Sequence, residues 1–264
     1  MTRFALQLEY DGTGYVGWQR QAVGQSLQKI LEEAAGKLSD HPVASVTAGR
    51  TDAGVHATGQ VVHIDLMREI APDALARALN YHMKPHLLVV RQAAIVEPKF
   101  SARFSAIGRH YRYVILNRMA RPAVNVNAVW QVSAALDVDA MHEAAQQIVG
   151  TNDFTSFRAS SCQAKSPIRT LDVLTVTRDG EVIEIIAHAR SFLHHQVRNM
   201  TGTLKLVGEG KLRPGDMTGI LAAKHRAAAG PTAPPQGLTL TKVVYEVDPF
   251  AANSNSAKAL ISGA

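Results

Sequence analysis

The sequence predicts an α+β protein made of two similar halves, with antiparallel sheets and helices on one face of each. Two observations carry this. Period-two runs and runs at helical spacing succeed one another in much the same element order twice. In addition, Asp179-Gly180 lies between two alternating runs, the strongest hairpin signal in the chain. In the first half, Phe4, Leu6, Leu8 and Tyr10 share one side of a half-buried strand. Leu27, Ile30, Leu31, Ala34, Ala35 and Leu38 then recur at helical spacing behind Ser26, a capping residue. Val43–Ala48 and Gln60–Leu66 read as strands bracketing a turn. Pro72-Asp73 opens a helix through Tyr81, and Leu87–Val96 is a further strand.

The second half begins near Gly108. His110–Leu116 alternates as a strand, and Asp139–Val149 is helical with Gly150 as its stop. Leu171–Thr177 and Val182–Ala189 flank the hairpin turn. Leu193, Val197, Met200, Leu204 and Val207 place a helix over Phe192–Val207, which puts His194 and His195 on it with diverging side chains. A short helix after Pro214 and a strand from Leu238 to Val247 complete the half. The expected organisation is a subdomain over 1–105, a second over 106–250, and a small, polar, disordered tail over 251–264.

Composition narrows the class. The chain has 264 residues, enough for one large domain or two small ones. Hydrophobic residues make up 46% and charged ones 19%, which excludes a disordered chain and supplies a core. No apolar run approaches the roughly 18 residues that span a bilayer. Met1 leads directly into Phe4-Ala5-Leu6 without a basic n-region, and Cys162 is the single cysteine; both fit a cytoplasmic protein.

The formal net charge of +6 hints at an anionic partner. Residues 1–105 carry 11 basic and 10 acidic side chains, whereas 106–250 carry 16 and 12. No acid occurs from Pro98 to Leu136, where Lys99, Arg103, Arg109, Arg112, Arg118 and Arg121 are interleaved with Phe100, Phe104, Tyr111 and Tyr113. A second acid-free stretch, Phe154–Leu171, holds Arg158, Lys165 and Arg169. Arginines among aromatics suit phosphate contacts and stacking on unpaired bases, although a solvated basic face would have the same composition.

Gly12-Thr13-Gly14-Tyr15-Val16-Gly17 matches the dinucleotide fingerprint after a strand, but the periodic helix starts about eight residues too late. The intervening Trp18–Gly24 reads as a polar loop. The densest feature is Ala48-Gly49-Arg50-Thr51-Asp52-Ala53-Gly54-Val55-His56-Ala57, a polar turn between two apolar strands. Such a turn can present catalytic groups at a strand end; equally, Asp52 can be a turn former with Arg50 as a surface partner. No metal-ligand pattern emerges: Pro85 separates His82 from His86, and His194 and His195 are adjacent.

These residues carry a resemblance. The chain is similar to bacterial tRNA pseudouridine synthases of the TruA type in Tyr10–Gln21, Ala48–Ala57, Arg109–Tyr113, Ser191–Met200 and Pro234–Leu240. The matching segments come in the family's order and span Phe4 to about Val247. The resemblance implies the pseudouridine synthase fold with an active-site cleft between its halves. It implies conversion of uridine to pseudouridine at positions 38, 39 and 40 of the tRNA anticodon stem-loop, no cofactor, and a homodimer. By motif, Asp52 is the catalytic carboxylate, Arg50 assists extrusion of the nucleotide, and Arg198 pairs with the aspartate. Tyr111 stacks on the uracil, with Arg109, Arg112 and Leu238 as further substrate-binding residues. A silent tRNA-binding protein on the same scaffold, or an oxidoreductase using Gly12, Gly14 and Gly17, are the other readings.

The residue types suit the reaction. A hydrolytic glycosidase needs two carboxylates. Here the C1′–N1 bond breaks and C1′ rejoins C5 of the same base, so no water enters and one carboxylate suffices. Attack on C1′ and removal of a proton are both open to it. Extruding the base costs a few kcal/mol, of which stacking on Tyr111 can recover roughly 1–3 kcal/mol.

Overall fold

The computed structural model describes residues 1–251. The expected tail, beyond Ala251, lies outside the described residues. The described residues divide into two compact units: Met1–Ile107 with the stretch from Leu240 to Ala251, and Gly108–Thr239.

In the first unit, β1 (Thr2–Tyr10) lies between β4 (Leu88–Val96) and β3 (His56–Leu66) and is antiparallel to both. Short β2 (Ser45–Thr47) also pairs with β3. Beyond β3 comes β10 (Leu238–Tyr245), whose residues from Leu240 belong to this unit. Helices α1 (Leu27–Gly36) and α2 (Pro72–His82) complete it. Phe4, Leu6 and Leu8 are fully buried, together with Leu27 and Leu31 of α1 and Leu75 and Leu79 of α2, so the alternation of β1 defines the core face. As expected of a capping residue, Ser26 accepts from the Lys29 N–H at 3.2 Å. The strands around the polar turn differ from expectation: β2 is only three residues, and β3 reaches back to His56. A register shift between Leu8 and Tyr10 sets Tyr10 opposite Ala57 and carries the ladder past Gln60.

His63 sits on β3 and is 7% exposed. Its Nδ1 accepts from the Ala102 N–H at 3.0 Å, which requires the unprotonated nitrogen. Burial and the Arg3 guanidinium hold the imidazole below its ordinary pKa, against an opposing contribution from Asp65. A depressed histidine contributes stability that is present above the unfolded value of about 6.5 and lost as pH falls through the folded value. His188 is shifted in the same direction, mainly by burial. Accordingly, His63→Asn should lose less of its thermal midpoint than the wild type between pH 7.5 and 5.5. An identical loss in the two proteins would refute this.

In the second unit, β5 (Ala106–Asn117), β9 (Val182–Ala189), β8 (Ile168–Asp179) and β7 (Gly150–Asp153) are neighbours in that order, all antiparallel. β6 (Trp130–Val132) runs parallel beside β5. The helices are α3 (Val138–Gln146), α4 (Gln196–Gly208) and α5 (Asp216–Ala222). Leu174, Ile185 and Ala187 of the sheet and Met141, Ala144, Met200 and Leu204 of the helices are all at most 1% exposed and belong to the core.

The hairpin forms as expected, with its turn shifted one residue along: Asp179 still pairs with Val182, and Gly180 takes φ +55°. Two helix expectations need correction. Gly150 does not stop α3; the helix ends at Gln146, and Gly150, at φ +101°, opens β7. Helix α4 starts at Gln196, not Phe192, because His195 takes a left-handed conformation at φ +62°. His194 and His195 therefore precede the helix and do not diverge. Their rings lie 4.0 Å apart, tilted by 44°.

Candidate active site

The polar turn joins β2 to β3, and its backbone is held at several points. Ala48 N–H donates to the Val61 carbonyl at 2.8 Å, closing the strand ends. The Gly49 carbonyl accepts from Gln60 Nε2 at 2.7 Å and from the Thr47 hydroxyl at 3.1 Å. Thr51 is buried, with its hydroxyl 2.8 Å from that of Tyr10 and its carbonyl accepting from the Trp18 N–H at 3.0 Å. After Asp52, the Val55 N–H returns to the Asp52 carbonyl at 3.2 Å. Between these fixed points Arg50 is exposed and Asp52 half-buried. A short polar loop is thus held rigidly by its backbone while it presents an arginine and a carboxylate, as a catalytic loop requires.

The glycine run plays its part here. Gly17 has φ +101°, and a Cβ on it would lie 2.7 Å from the Thr51 carbonyl oxygen and 3.0 Å from the Asp52 carbonyl carbon. A Cβ on Gly12 would lie 2.1 Å from the Val55 carbonyl oxygen. These glycines are the wall against which the Asp52 loop packs. Helix α1 begins ten residues beyond Gly17, behind a loop tied down by the Val16 N–H to the Gln25 carbonyl. Its first two N–H groups, those of Leu27 and Gln28, are taken by the Gly17 and Trp18 carbonyls at 3.2 and 3.0 Å, so they are not presented to a pyrophosphate as the fingerprint requires. Trp18, expected in a polar loop, is 1% exposed, and its ring lies 6.0 Å from that of Tyr10.

At the end of the loop, His56 Nδ1 lies 3.0 Å from the Gly12 N–H and 3.1 Å from Asp11 Oδ1. The nitrogen accepts from the first or, when protonated, donates to the second. Burial disfavours a charge on Asp11, but Thr13 and His56 outweigh it and hold the carboxyl below its ordinary range.

In the second unit, Arg109, Tyr111 and Tyr113 share one side of β5, and Tyr111 is only 9% exposed. Its ring meets Phe192 edge-on, with centroids 5.2 Å apart. Arg109 is buried, and it donates to the Arg190 carbonyl at 2.7 Å, bracing the segment that leads to His195. On the opposite side of β5, Arg112 pairs with Glu184, and farther along the chain Arg118 pairs with Glu181 at 2.9 Å. A window free of acids in sequence is therefore partly neutralised in space by the β8–β9 hairpin. Arg198, half-buried on α4, donates through Nε to the Ala233 carbonyl at 2.8 Å, and Ala233 N–H returns to the Arg198 carbonyl at 3.1 Å. Leu238 is buried at the start of β10, just after Gly237, whose missing Cβ makes room for the Tyr113 ring.

The loop is legible in the sequence, whereas the part that Tyr10, Gln60 and Trp18 play in holding it is not. Gln60 carried a usable signal: it is a polar side chain at the head of an apolar strand and is fully buried.

With this α+β fold and this loop, the chain belongs to the tRNA pseudouridine synthases, whose family model matches residues 7–105 and 144–246. The chain is 62% identical over 255 residues to tRNA pseudouridine synthase A of Acidiphilium cryptum (strain JF-5), covering 96% of this chain and all of that protein. The proteins of the same name from Paramagnetospirillum magneticum (strain ATCC 700264 / AMB-1) and Gluconobacter oxydans (strain 621H) are 58% and 55% identical, over 93% and 95% of this chain and 96% and 92% of their own. The Asp52 loop lies in the first matched stretch of the family model and Arg198 in the second, whereas Arg109–Tyr113 falls between them. No helix among the described residues is long and apolar enough to cross a membrane.

Proposed function

We propose that this tRNA pseudouridine synthase isomerises uridines 38, 39 and 40 of the anticodon stem-loop, with Asp52 as its catalytic carboxylate. The observation that carries the reading is the Gly49–Val55 loop. Its backbone is tied down on both sides of Asp52, in a chain whose family performs this isomerisation. The C1′–N1 bond breaks, C1′ bonds to C5, the C5 hydrogen leaves as a proton, and N1 gains one. Product and substrate therefore have the same atoms, and no cofactor is called for. A carboxylate in this place either attacks C1′ or takes the proton from C5.

The other roles rest on the motif match. Arg50, exposed beside Asp52, assists extrusion of the nucleotide; Tyr111 stacks on the uracil; Arg198 is the basic partner of the carboxylate. Arg109 supports this set through the Arg190 carbonyl, and Arg112 and Leu238 complete the substrate-binding residues. The enzyme acts in the cytoplasm as a homodimer; its halves divide near residue 106, and the stretch from Leu240 returns to the first of them.

Mapping pseudouridine in tRNA from cells lacking the protein tests reaction and site together. Uridine should replace pseudouridine at 38, 39 and 40 and return to pseudouridine on complementation. Unchanged modification at all three positions would overturn the assignment.

A further inference from the structure

The loop's rigidity traces to a group of buried polar side chains that would not be expected in an apolar core without a purpose. Gln60 is fully buried and Tyr10 is 3% exposed. Gln60 Nε2 donates to the Gly49 carbonyl at 2.7 Å and to the Tyr10 hydroxyl oxygen at 3.3 Å, and its Oε1 accepts from the Val61 N–H at 3.2 Å. The Tyr10 hydroxyl also lies 2.8 Å from Thr51 Oγ1, and either hydroxyl can donate in that bond. Burial pushes the Tyr10 phenol up to about 12, against the opposing bonds from Thr51 and Gln60, so it keeps its proton. One end of the chain thus grips Gly49 and the other grips Thr51, the residue bonded to Asp52.

We propose that Gln60, Tyr10 and Thr51 are positioning residues that set the Asp52 carboxylate for the isomerisation through a continuous buried hydrogen-bond relay. The proposal rests on the reading of Asp52 as the catalytic group. None of the three needs to touch the substrate. Their effect is geometric, since a displacement of about 1 Å at a reacting group costs roughly 10²-fold in rate.

Single-turnover and steady-state kinetics on unmodified tRNA test the proposal. Tyr10→Phe removes only the hydroxyl and should lower kcat about 10-fold while leaving KM within about twofold, the signature of a lost transition-state interaction. Thr51→Val should do the same, Thr51→Ser should restore kcat, and the Tyr10→Phe/Thr51→Val double variant should be no slower than the worse single one, as expected of one shared bond. Tyr245→Phe is the control: it also deletes one buried hydroxyl bond, to the Ala102 carbonyl at 2.7 Å, and should melt lower with kcat unchanged. Wild-type kcat in folded Tyr10→Phe would overturn the proposal, as would equal losses in Tyr10→Phe and Tyr245→Phe. If Asp52→Asn retains turnover, the underlying reading fails; if Asp52→Asn is inactive while Tyr10→Phe is unaffected, only the relay fails.

Discussion

Asp52→Asn should bind tRNA as the wild type does and form pseudouridine at least about 10²-fold more slowly, the scale set by a lost acid–base group. The substitution is nearly isosteric, and Asp52 is only half-buried in a loop held chiefly by Gly49, Thr51 and Val55, so the fold survives it. Amide nitrogen can neither attack C1′ as a carboxylate does nor accept the C5 proton, so both chemical roles are lost together. Binding, in contrast, is dominated by contacts with phosphates and bases that do not need this group. Filter binding and single-turnover formation of pseudouridine, measured on the same preparation, separate the two. Turnover retained within a few-fold would remove Asp52 from the reaction.

The second large effect is expected at Gly17. Alanine there meets two penalties: φ of +101°, strained for any residue with a Cβ by roughly 1–3 kcal/mol, and backbone atoms of Thr51, Asp52 and Ala53 within about 3 Å of the new methyl group. Backbone cannot swing aside as a flexible side chain can, so the Asp52 loop itself must move. Gly17→Ala should therefore destabilise the protein by about 3 kcal/mol or more and lower kcat about 10²-fold in the folded fraction. Gly14 supplies the comparison. It also has a positive φ, +80°, but a Cβ there meets nothing within 4 Å. Gly14→Ala should lose only the strain, about 1 kcal/mol, and keep its turnover. Melting curves and single-turnover rates check the pair, and equal kcat losses at Gly14 and Gly17 would show that the packing of Gly17 on the loop is unimportant.

Local signals in the chain were dependable wherever one chemical preference decides the outcome. The alternation of Phe4, Leu6 and Leu8, the cap at Ser26, Pro72 at a helix start and the turn glycine at Gly180 all appear close to their expected places. They failed where a residue's conformation depends on distant partners. The hydrophobic spacing of Leu193 and Val197 extends the helical pattern back over His194 and His195, yet the left-handed His195 breaks it. Gly150 resembles a helix stop because a helix end and a strand start can both call for positive φ. Arg112 and Arg118 looked like part of a basic stripe because Glu184 and Glu181 lie more than sixty residues away in sequence.

The α+β class, most of the element order, the polar loop carrying Arg50 and Asp52 and, through the motifs, the family are all legible in the amino-acid order. How that loop is held emerges only from the folded chain. Tyr10, Gln60 and Gly17 come from separate segments, and nothing in their local patterns couples them to Asp52. The coupling arises because buried hydroxyl, amide and carbonyl groups must find partners, and the nearest partners in space are those of the loop.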